Sequence, residues 1–480
     1  MKKTSLKANF LYSISYQLLT IILPFITVPY ISRVLGASGV GVYSYTYAIV
    51  NYFMLFGLLG INNYGNRTIA KCKKNKEMMS KNFWEIYSVQ LIMSAIVILA
   101  YLLYVFVFES QYQFIAIIQT IYLIANLLDI NWFFFGLEKF KITVTRNFVI
   151  KIISVVCIFI FVKNADDLWI YTLILSISTL ISQLVLFPFL KKEVKLVLPQ
   201  IKSLKKHIKP IIALFLPVIA VSLYKIMDKI MLGNLSTVVQ VGYYEQAEKI
   251  INVPLGLITA LGSVMMPRIS ALISEKQDGV VQNYISKSVQ FLLFLAFPIC
   301  FGLIATAGDF VPIFLGKDFV SSIPLVYLLA ITIVFLAMSN VIRTQYLIPK
   351  EKDKVYIISV VIGAIVNLII NLLLIPKYHA VGACIGTICA EFGAMFYQLI
   401  MTRKELPIKS YLLEIFPFFL KALVMFIIVI LVKFLPLTSG LKVIVQVLTG
   451  ILLYFVLNIK YINSIFNIKD IMKKLLNYAH

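Results

Sequence analysis

Long apolar runs alternate with short polar breaks along almost the whole chain of 480 residues. Each run is close to the ~20 residues that an α-helix needs to cross the hydrocarbon of a bilayer. The pattern therefore predicts an all-α polytopic membrane protein with about fourteen transmembrane helices. The predicted spans are residues 10–32, 42–61, 84–108, 112–135, 148–162, 168–190, 210–232, 242–266, 285–306, 320–345, 356–375, 383–402, 414–435 and 442–460.

Composition supports this environment and leaves little chain outside it. Apolar residues make up 61% of the sequence and the mean hydropathy is +0.93, whereas a soluble domain is roughly 45–50% apolar. The loops on the predicted outer side are short. A membrane glycosyltransferase, ligase or polymerase needs an extramembrane surface that carries acids and bases, so we predict that the protein is not an enzyme.

The charge balance predicts orientation. Lys and Arg number 44 against 21 Asp and Glu, a formal net charge of +23. In a soluble protein this excess would indicate nucleic-acid binding, but membrane proteins concentrate Lys and Arg in cytoplasmic loops. With the N-terminus inside, the inner segments hold 32 basic residues and the outer segments hold 6. We therefore expect both termini in the cytoplasm, contact of the basic loops with anionic membrane lipids, and no nucleic-acid partner.

No cofactor or metal is indicated. The cysteines are scattered without a CxxC pair, and the three histidines are too far apart in sequence to build a metal site together. GxSxG, Walker GxxxxGK[ST] and HExxH motifs are absent. The missing Walker motif excludes an ATP-driven pump formed by this chain alone.

Two segments of the sequence match each other. Residues 23–28 (LPFITV) match residues 216–221 (LPVIAV), and a Val-Gly-x-Tyr follows each, at residues 40–43 and 241–244. If this is a repeat rather than coincidence in apolar sequence, two six-helix lobes have the same orientation, and the site lies between them. The predicted domains are an N-terminal lobe at 1–208, a C-terminal lobe at 209–410, and an appended helix pair with the tail at 411–480.

Charged residues inside the predicted spans mark the candidate site, because a charge in hydrocarbon costs about 2.5–3.5 kcal/mol on the insertion scale. Span seven carries Lys225, Asp228 and Lys229, and span eight begins with Glu245 and Lys249. The connection between the two spans is short, so we expect their charges to meet in the outer half of the membrane. Two interpretations stay open: a buried ion-pair network, or the wall of a hydrated cavity that binds an anionic headgroup.

Two further features bear on a cavity. Arg33 ends span one in a position like that of Lys229; it either faces a phosphate or extends to the outer interface. The sequence also contains 27 tyrosines, and tyrosines on a cavity wall can stack on sugars.

Several motifs resemble those of bacterial polysaccharide-export flippases, the Wzx-type proteins of the MOP exporter superfamily. They are the opening NFLYSISYQLLTIILPFITVPYISRVLGASGVGVYSYTYAIVNYF, then GLLGINNYGNRTIA, DINWFFFGLEKF, MDKIMLGNLSTVVQVGYYEQAEKI and LGSVMMPRIS. The resemblance runs from the N-terminus to about residue 400. It implies two six-helix lobes around a V-shaped cavity, alternating access, and a bacterial cytoplasmic membrane location. The implied substrate is an oligosaccharide repeat unit on undecaprenyl diphosphate, for O-antigen, capsule or another surface polysaccharide.

The resemblance also suggests roles for the charged residues. The candidate substrate-binding residues are Arg33, Lys225, Lys229 and Lys249, and the candidate residues for coupling to H⁺ or Na⁺ are Asp228 and Glu245. A polysaccharide polymerase and glycosyltransferases would be protein partners.

Two other transport functions remain as alternatives. One is a flippase for lipid II or another lipid-linked precursor. The other is a cation-coupled drug or metabolite antiporter of the same superfamily. The antiporter would favour an acidic residue in the first two spans, and these contain no Asp or Glu.

Overall fold

The structure is a computed structural model that describes residues 6–466, without the side chains of residues 6–22, 201, 216–217, 220–221, 223–225, 263 and 465–466. Within these limits it consists of helices and short connections. The helices are α1 Leu6–Leu58, α2 Ile61–Cys72, α3 Lys76–Val107, α4 Gln113–Leu127, α5 Asn131–Gly136, α6 Phe140–Phe161, α7 Leu168–Leu184, α8 Phe187–Glu193, α9 Ile201–Leu235, α10 Val238–Ser274, α11 Asp278–Phe314, α12 Ile323–Ile342, α13 Asp353–Thr402, α14 Ile408–Leu431, α15 Ser439–Leu457 and α16 Ile459–Phe466.

The helices confirm a multi-pass membrane protein. In the described residues, eleven helical segments are long and apolar enough to cross a bilayer. Two long helices each contain two of the predicted spans. Helix α1 has 53 residues and α13 has 50, so each would be about 75–80 Å long if straight, more than twice the hydrocarbon thickness of ~30 Å.

Both long helices are broken where two spans meet. Gly36 interrupts α1 with φ 64° and ψ −178°, a conformation that glycine adopts without a Cβ clash. His379 interrupts α13 with φ 51° and ψ −128°. Nδ1 of His379 lies 2.8 Å from the Ser236 hydroxyl, in the connection between α9 and α10. The backbone breaks therefore divide α1 and α13 at the places that separate predicted spans.

Two compact units make up the chain. The first contains the described residues up to 245 together with 368–383, and the second contains 246–367 and the described residues from 384 onward. Helices α10 and α13 contribute to both units. The lobe boundaries predicted at residues 208 and 410 refer to the internal repeat and stay a prediction.

The first unit has an aromatic core at one end of its helices, where α5 packs against α2. Phe83, Trp132, Phe133 and Phe134 are fully buried there. The indole nitrogen of Trp132 donates to the Gln90 side-chain oxygen at 3.0 Å. The Gln90 amide donates in turn to carbonyl oxygens in the break between α4 and α5, including that of Asp129 at 2.8 Å. This satisfies backbone groups that lipid could not.

A polar network joins α5, α6 and α7 beside this core. Asp129 accepts from the Asn131 side chain at 2.6 Å, and Arg146 donates to the Asn131 side-chain oxygen at 3.0 Å. Arg146 is buried in this network. Helix α6 begins at Phe140, eight residues before the predicted start of span five at residue 148.

The second unit packs α11 against α12, α14 and α15. Phe294 contacts Phe418 and Tyr454 in its core. At one end, the connection between α13 and α14 is held by Glu405, whose carboxylate contacts Lys352 and the Tyr346 hydroxyl. Lys350 pairs with Asp278 beside it at 3.1 Å.

Candidate functional site at the junction of α9 and α10

The candidate site lies in the first unit, where the last turns of α9 are followed directly by the first turns of α10. Glycines allow close packing there. A Cβ added to Gly41 of α1 would overlap the Val238 carbonyl oxygen, and a Cβ added to Gly242 of α10 would overlap the Ala37 carbonyl oxygen. Gly233 of α9 similarly leaves room for the ring of Tyr45. These contacts bring α1 against both charged helices.

An ion pair joins the two helices. The Lys229 ammonium lies 2.6 Å from the Glu245 carboxylate, and the two side chains are only 19% and 13% exposed. Partial burial strengthens the attraction, because the effective dielectric constant is well below that of water. The prediction that the charges of spans seven and eight meet is confirmed. The cross-helix partner of Glu245, however, is Lys229, which sequence spacing alone did not identify.

Asp228 lies next to this pair in sequence but has a different environment. It is 2% exposed, and both of its carboxylate oxygens accept hydrogen bonds. Tyr244 of α10 donates at 2.7 Å and the Asn371 amide of α13 donates at 2.5 Å. Sequence reasoning missed both partners. The available signal was a pair of asparagines, Asn367 and Asn371, four residues apart in the otherwise apolar run NLIINLLLI.

A group of tyrosines lies beside the ion pair. The rings of Tyr43 and Tyr47 stack with centroids 5.6 Å apart, and the Tyr43 hydroxyl lies 2.9 Å from that of Tyr122. Tyr171 completes the group, with its ring 5.0 Å from that of Tyr43. Tyr47 is within electrostatic range of both Lys229 and Glu245. Aromatic faces and hydroxyls of this kind provide both stacking and hydrogen bonding.

The other three predicted site residues lie at further positions along α1, α9 and α10. Arg33 is exposed on α1, just before the break at Gly36. Lys249 is half-buried on α10, one turn beyond Glu245, and belongs to the second unit. Lys225 lies in α9, but its side chain is outside the described part of the structure. The structure therefore brings Asp228, Lys229 and Glu245 together, and the roles proposed for all six residues stay predictions.

Among the residues whose side chains are described, no group of three or more His, Cys, Asp or Glu could hold a metal ion.

Sequence comparison assigns the family. The family described as "Polysaccharide biosynthesis protein" matches residues 6–273, which is more than half of the chain. The chain belongs to this family. The resemblance noted from the motifs is thereby confirmed. A protein of Escherichia coli (strain K12) named for O-antigen transport is 24% identical over 409 residues, covering 84% of this chain and 98% of the relative.

Solved structures show the same fold. A structure of the lipid II flippase MurJ in an inward closed conformation matches with a TM-score of 0.80 at 16% identity, covering 95% of this chain and 100% of that one. An inward-facing MATE multidrug transporter of the MOP superfamily matches with a TM-score of 0.57 at 13% identity, over 82% and 98%. The predicted fold class, an all-α polytopic membrane protein, is confirmed.

Proposed function

We propose that this protein is a flippase for lipid-linked oligosaccharides in a bacterial cytoplasmic membrane. Its substrate is an oligosaccharide repeat unit on undecaprenyl diphosphate, moved from the inner to the outer leaflet by alternating access for capsule, O-antigen or another surface polysaccharide. The observation that carries the proposal is the partly buried Lys229–Glu245 pair beside the tyrosine group, in a chain of the polysaccharide biosynthesis family. The proposal includes a cytoplasmic position for both termini, which the excess of basic residues in the predicted inner segments supports.

The chemistry of this substrate matches the site. The polyprenyl tail is stable in lipid, so only the sugar–diphosphate head needs a polar path. A diphosphate can replace Glu245 as the partner of the Lys229 ammonium, and the freed carboxylate can then take up a cation. The tyrosine hydroxyls and rings offer hydrogen bonds and stacking to the sugars. Arg33, Lys225 and Lys249 would supply further cationic contacts along the path.

Asp228 is the residue proposed to couple transport to an ion. Its two hydrogen-bond donors come from α10 and α13, two helices other than its own. Binding a proton or Na⁺ at this carboxylate would weaken those bonds and so change the packing of three helices at once. The favourable ion gradient would then bias the conformational equilibrium, because a ligand shifts an equilibrium only through its different affinity for the two states.

The second unit has a feature that suits a lipid-anchored substrate. An apolar cavity of about 430 Å³ lies among α11, α12, α13 and α14, and its lining includes Phe297, Phe301, Met338 and Phe419. A polyprenyl chain can enter such a surface without loss of polar contacts. A hydrophilic metabolite would gain nothing there.

The fold likeness to MurJ keeps a lipid II flippase as the second candidate. The two functions predict different accumulated intermediates. Deletion of the gene should cause an undecaprenyl-diphosphate oligosaccharide to accumulate, as identified by mass spectrometry of extracted lipids. Accumulation of lipid II would support the second candidate. If no lipid-linked sugar accumulated, both would be wrong.

Reconstitution tests transport directly. Purified protein in proteoliposomes should move a fluorescent lipid-linked oligosaccharide from the inner to the outer leaflet, where a quencher added outside can reach it. Lys229→Gln should reduce this rate while the purified yield stays near that of the wild type. If the folded protein is lost instead, the pair is a structural ion pair. A rate equal to that of empty liposomes for the wild type would contradict the function itself.

A further inference from the structure

A polar cavity lies in the first unit, separate from the ion pair. Its volume is about 560 Å³, and it is lined by residues from α1, the end of α3, the connection that follows α3, and the end of α9. The lining residues are Tyr45, Tyr104, Phe108, Glu109, Ser110, Gln111 and Asn234. The volume is within the range of ~300–1,000 Å³ that is typical of small-molecule sites.

The cavity wall is ordered by contacts among its own residues. The Tyr45 hydroxyl donates to the Asn234 side-chain oxygen at 2.9 Å. The Glu109 carboxylate accepts from the Tyr112 backbone amide at 3.0 Å and also lies beside the Tyr104 hydroxyl. The rings of Tyr104 and Phe108 are near parallel, at an interplanar angle of 21°. The cavity therefore offers flat ring faces next to positioned hydrogen-bonding groups.

The chemistry of this lining favours a neutral, hydroxyl-rich ligand. Among the described residues, the lining includes no Lys, Arg or His, and the Glu109 carboxylate would repel a phosphate. A carboxylate, amides and hydroxyls accept and donate hydrogen bonds to alcohol groups. The C–H face of a pyranose ring packs well on an aromatic ring. Sugars combine these two properties, whereas an apolar drug would leave the polar groups without partners.

The cavity lies close to the ion pair along α9. Asn234 is five residues after Lys229 on α9, which is about 7.5 Å along the helix axis. Tyr45 is two residues before Tyr47, which lies near the same pair. The predicted orientation places the connection at residues 108–112 and the end of α9 on the outer side. A substrate whose phosphates reach Lys229 could therefore place its sugars in this cavity.

We infer that the cavity lined by Tyr45, Tyr104, Phe108, Glu109, Gln111 and Asn234 is a glycan-binding subsite at the outer end of the first unit. It holds neutral sugars of the substrate head, while Lys229 contacts the phosphates. This inference rests on the proposed flippase function and specifies which part of the substrate the first unit recognises.

Sugar binding can be measured without transport. The full chain in lipid nanodiscs is mixed with neutral hexose and N-acetylhexosamine disaccharides, and saturation-transfer difference NMR reports contact with the sugar protons. Tyr104→Leu and Phe108→Ala should each weaken the signal at least about threefold, because an aromatic packing contact is lost. Phe108 is 74% exposed, so its replacement should leave the fold intact.

The matched control is Phe106→Ala, which removes another exposed ring (64%) near the end of the same helix but outside the cavity. Its signal should equal that of the wild type. Tetraphenylphosphonium serves as the cationic probe. If it binds in a Glu109-dependent way and the disaccharides do not, the cavity is a cation site and the inference is wrong.

Transport then separates this inference from the proposed function. Proteoliposomes are tested with undecaprenyl diphosphate carrying either one sugar or a full repeat unit. Phe108→Ala should slow the repeat unit more than the monosaccharide. If the wild type transports but Phe108→Ala slows both substrates equally, or slows neither, the subsite alone is overturned. No transport by the wild type would overturn the function.

Discussion

Gly41 and Gly242 occupy equivalent positions in the two Val-Gly-x-Tyr segments, and they pack directly against each other. A Cβ on Gly41 would lie 3.1 Å from the Gly242 backbone nitrogen, and a Cβ on Gly242 would lie 3.2 Å from that of Gly41. Each would also overlap the carbonyl oxygen four residues before the other glycine. The contact is therefore reciprocal, as expected when small residues let two membrane helices approach closely.

This contact predicts the effect of adding one methyl group. Gly41→Ala or Gly242→Ala should lower the free energy of unfolding by about 1–3 kcal/mol or more, because the methyl meets backbone atoms that cannot rotate away. Thermal unfolding of the detergent-purified protein measures the loss. Gly279→Ala is the control, since nothing lies within 4 Å of its Cβ position. Equal melting temperatures for all three variants would contradict the packing.

The Lys229–Glu245 pair can be tested by exchanging its charges. Lys229→Gln or Glu245→Gln should cost about 1.5–3 kcal/mol of stability, the range for hydrogen bonds to charged groups. The double variant Lys229→Glu with Glu245→Lys should regain much of that stability. Transport should remain impaired, because the cation has moved to the other helix. Recovery of both stability and transport by the exchange would show that the pair has only a structural role.

Asp228→Asn tests ion coupling. The amide keeps the shape of the side chain but cannot bind a proton or Na⁺ in the same way, and it should cost about 1–3 kcal/mol through weakened hydrogen bonds. We expect transport in proteoliposomes to become independent of imposed H⁺ and Na⁺ gradients. Tyr244→Phe removes a single hydrogen bond to the same carboxylate and should retain the dependence. If transport by Asp228→Asn still depended on the gradients, a residue other than Asp228 would couple transport to the ion.

Orientation is tested by cysteine accessibility. Single cysteines at Ser38 and Ser203, in a background without the five native cysteines, should react with a membrane-impermeant maleimide from opposite sides. Ser38 lies near the break in α1, on the predicted outer side, and Ser203 lies in the first turn of α9. Labelling of both from the same side would contradict the topology, and with it the outer position of the glycan subsite.

Glu405 predicts a pH-dependent contribution to stability. The Lys352 ammonium and then the Tyr346 hydroxyl hold the pKa of this carboxyl below its usual value of 4.5. A lowered pKa in the folded state stabilises the fold above the unfolded pKa, and this gain is lost as pH falls through the folded pKa. Glu405→Gln should therefore melt below the wild type at pH 7, with the difference shrinking in acid.

The exposed neighbour Glu351 provides the control for this experiment. Glu351→Gln should show the same melting temperature as the wild type at pH 7, because its side chain is exposed. A difference for Glu405→Gln that does not shrink as the pH falls below the usual carboxyl pKa of 4.5 would mean that its charge is not the cause, because protonation of the wild-type carboxyl removes the gain.

Hydropathy predicted the helices well because each crossing must satisfy its own backbone in lipid, which only a helix of about 20 apolar residues can do. Contacts between side chains on different helices were harder to predict from the sequence. Lys229 and Glu245 stand out as charges in apolar runs, yet Asn371 and Tyr244 carry no charge and resemble ordinary residues. Nothing in sequence spacing brings Asn371 to Asp228, because the two are 143 positions apart.

Local composition alone thus determined that this chain spans a membrane many times, which residues do so, and which charges are costly enough to need a partner. Tertiary packing decided the rest: which carboxylate meets which ammonium, that the glycines of the two matched segments pack together, and that Tyr45, Tyr104 and Asn234 line one cavity. The physical reason is that hydropathy sums over neighbours in sequence. A hydrogen bond, an ion pair or a cavity wall depends on distances between helices that are far apart along the chain.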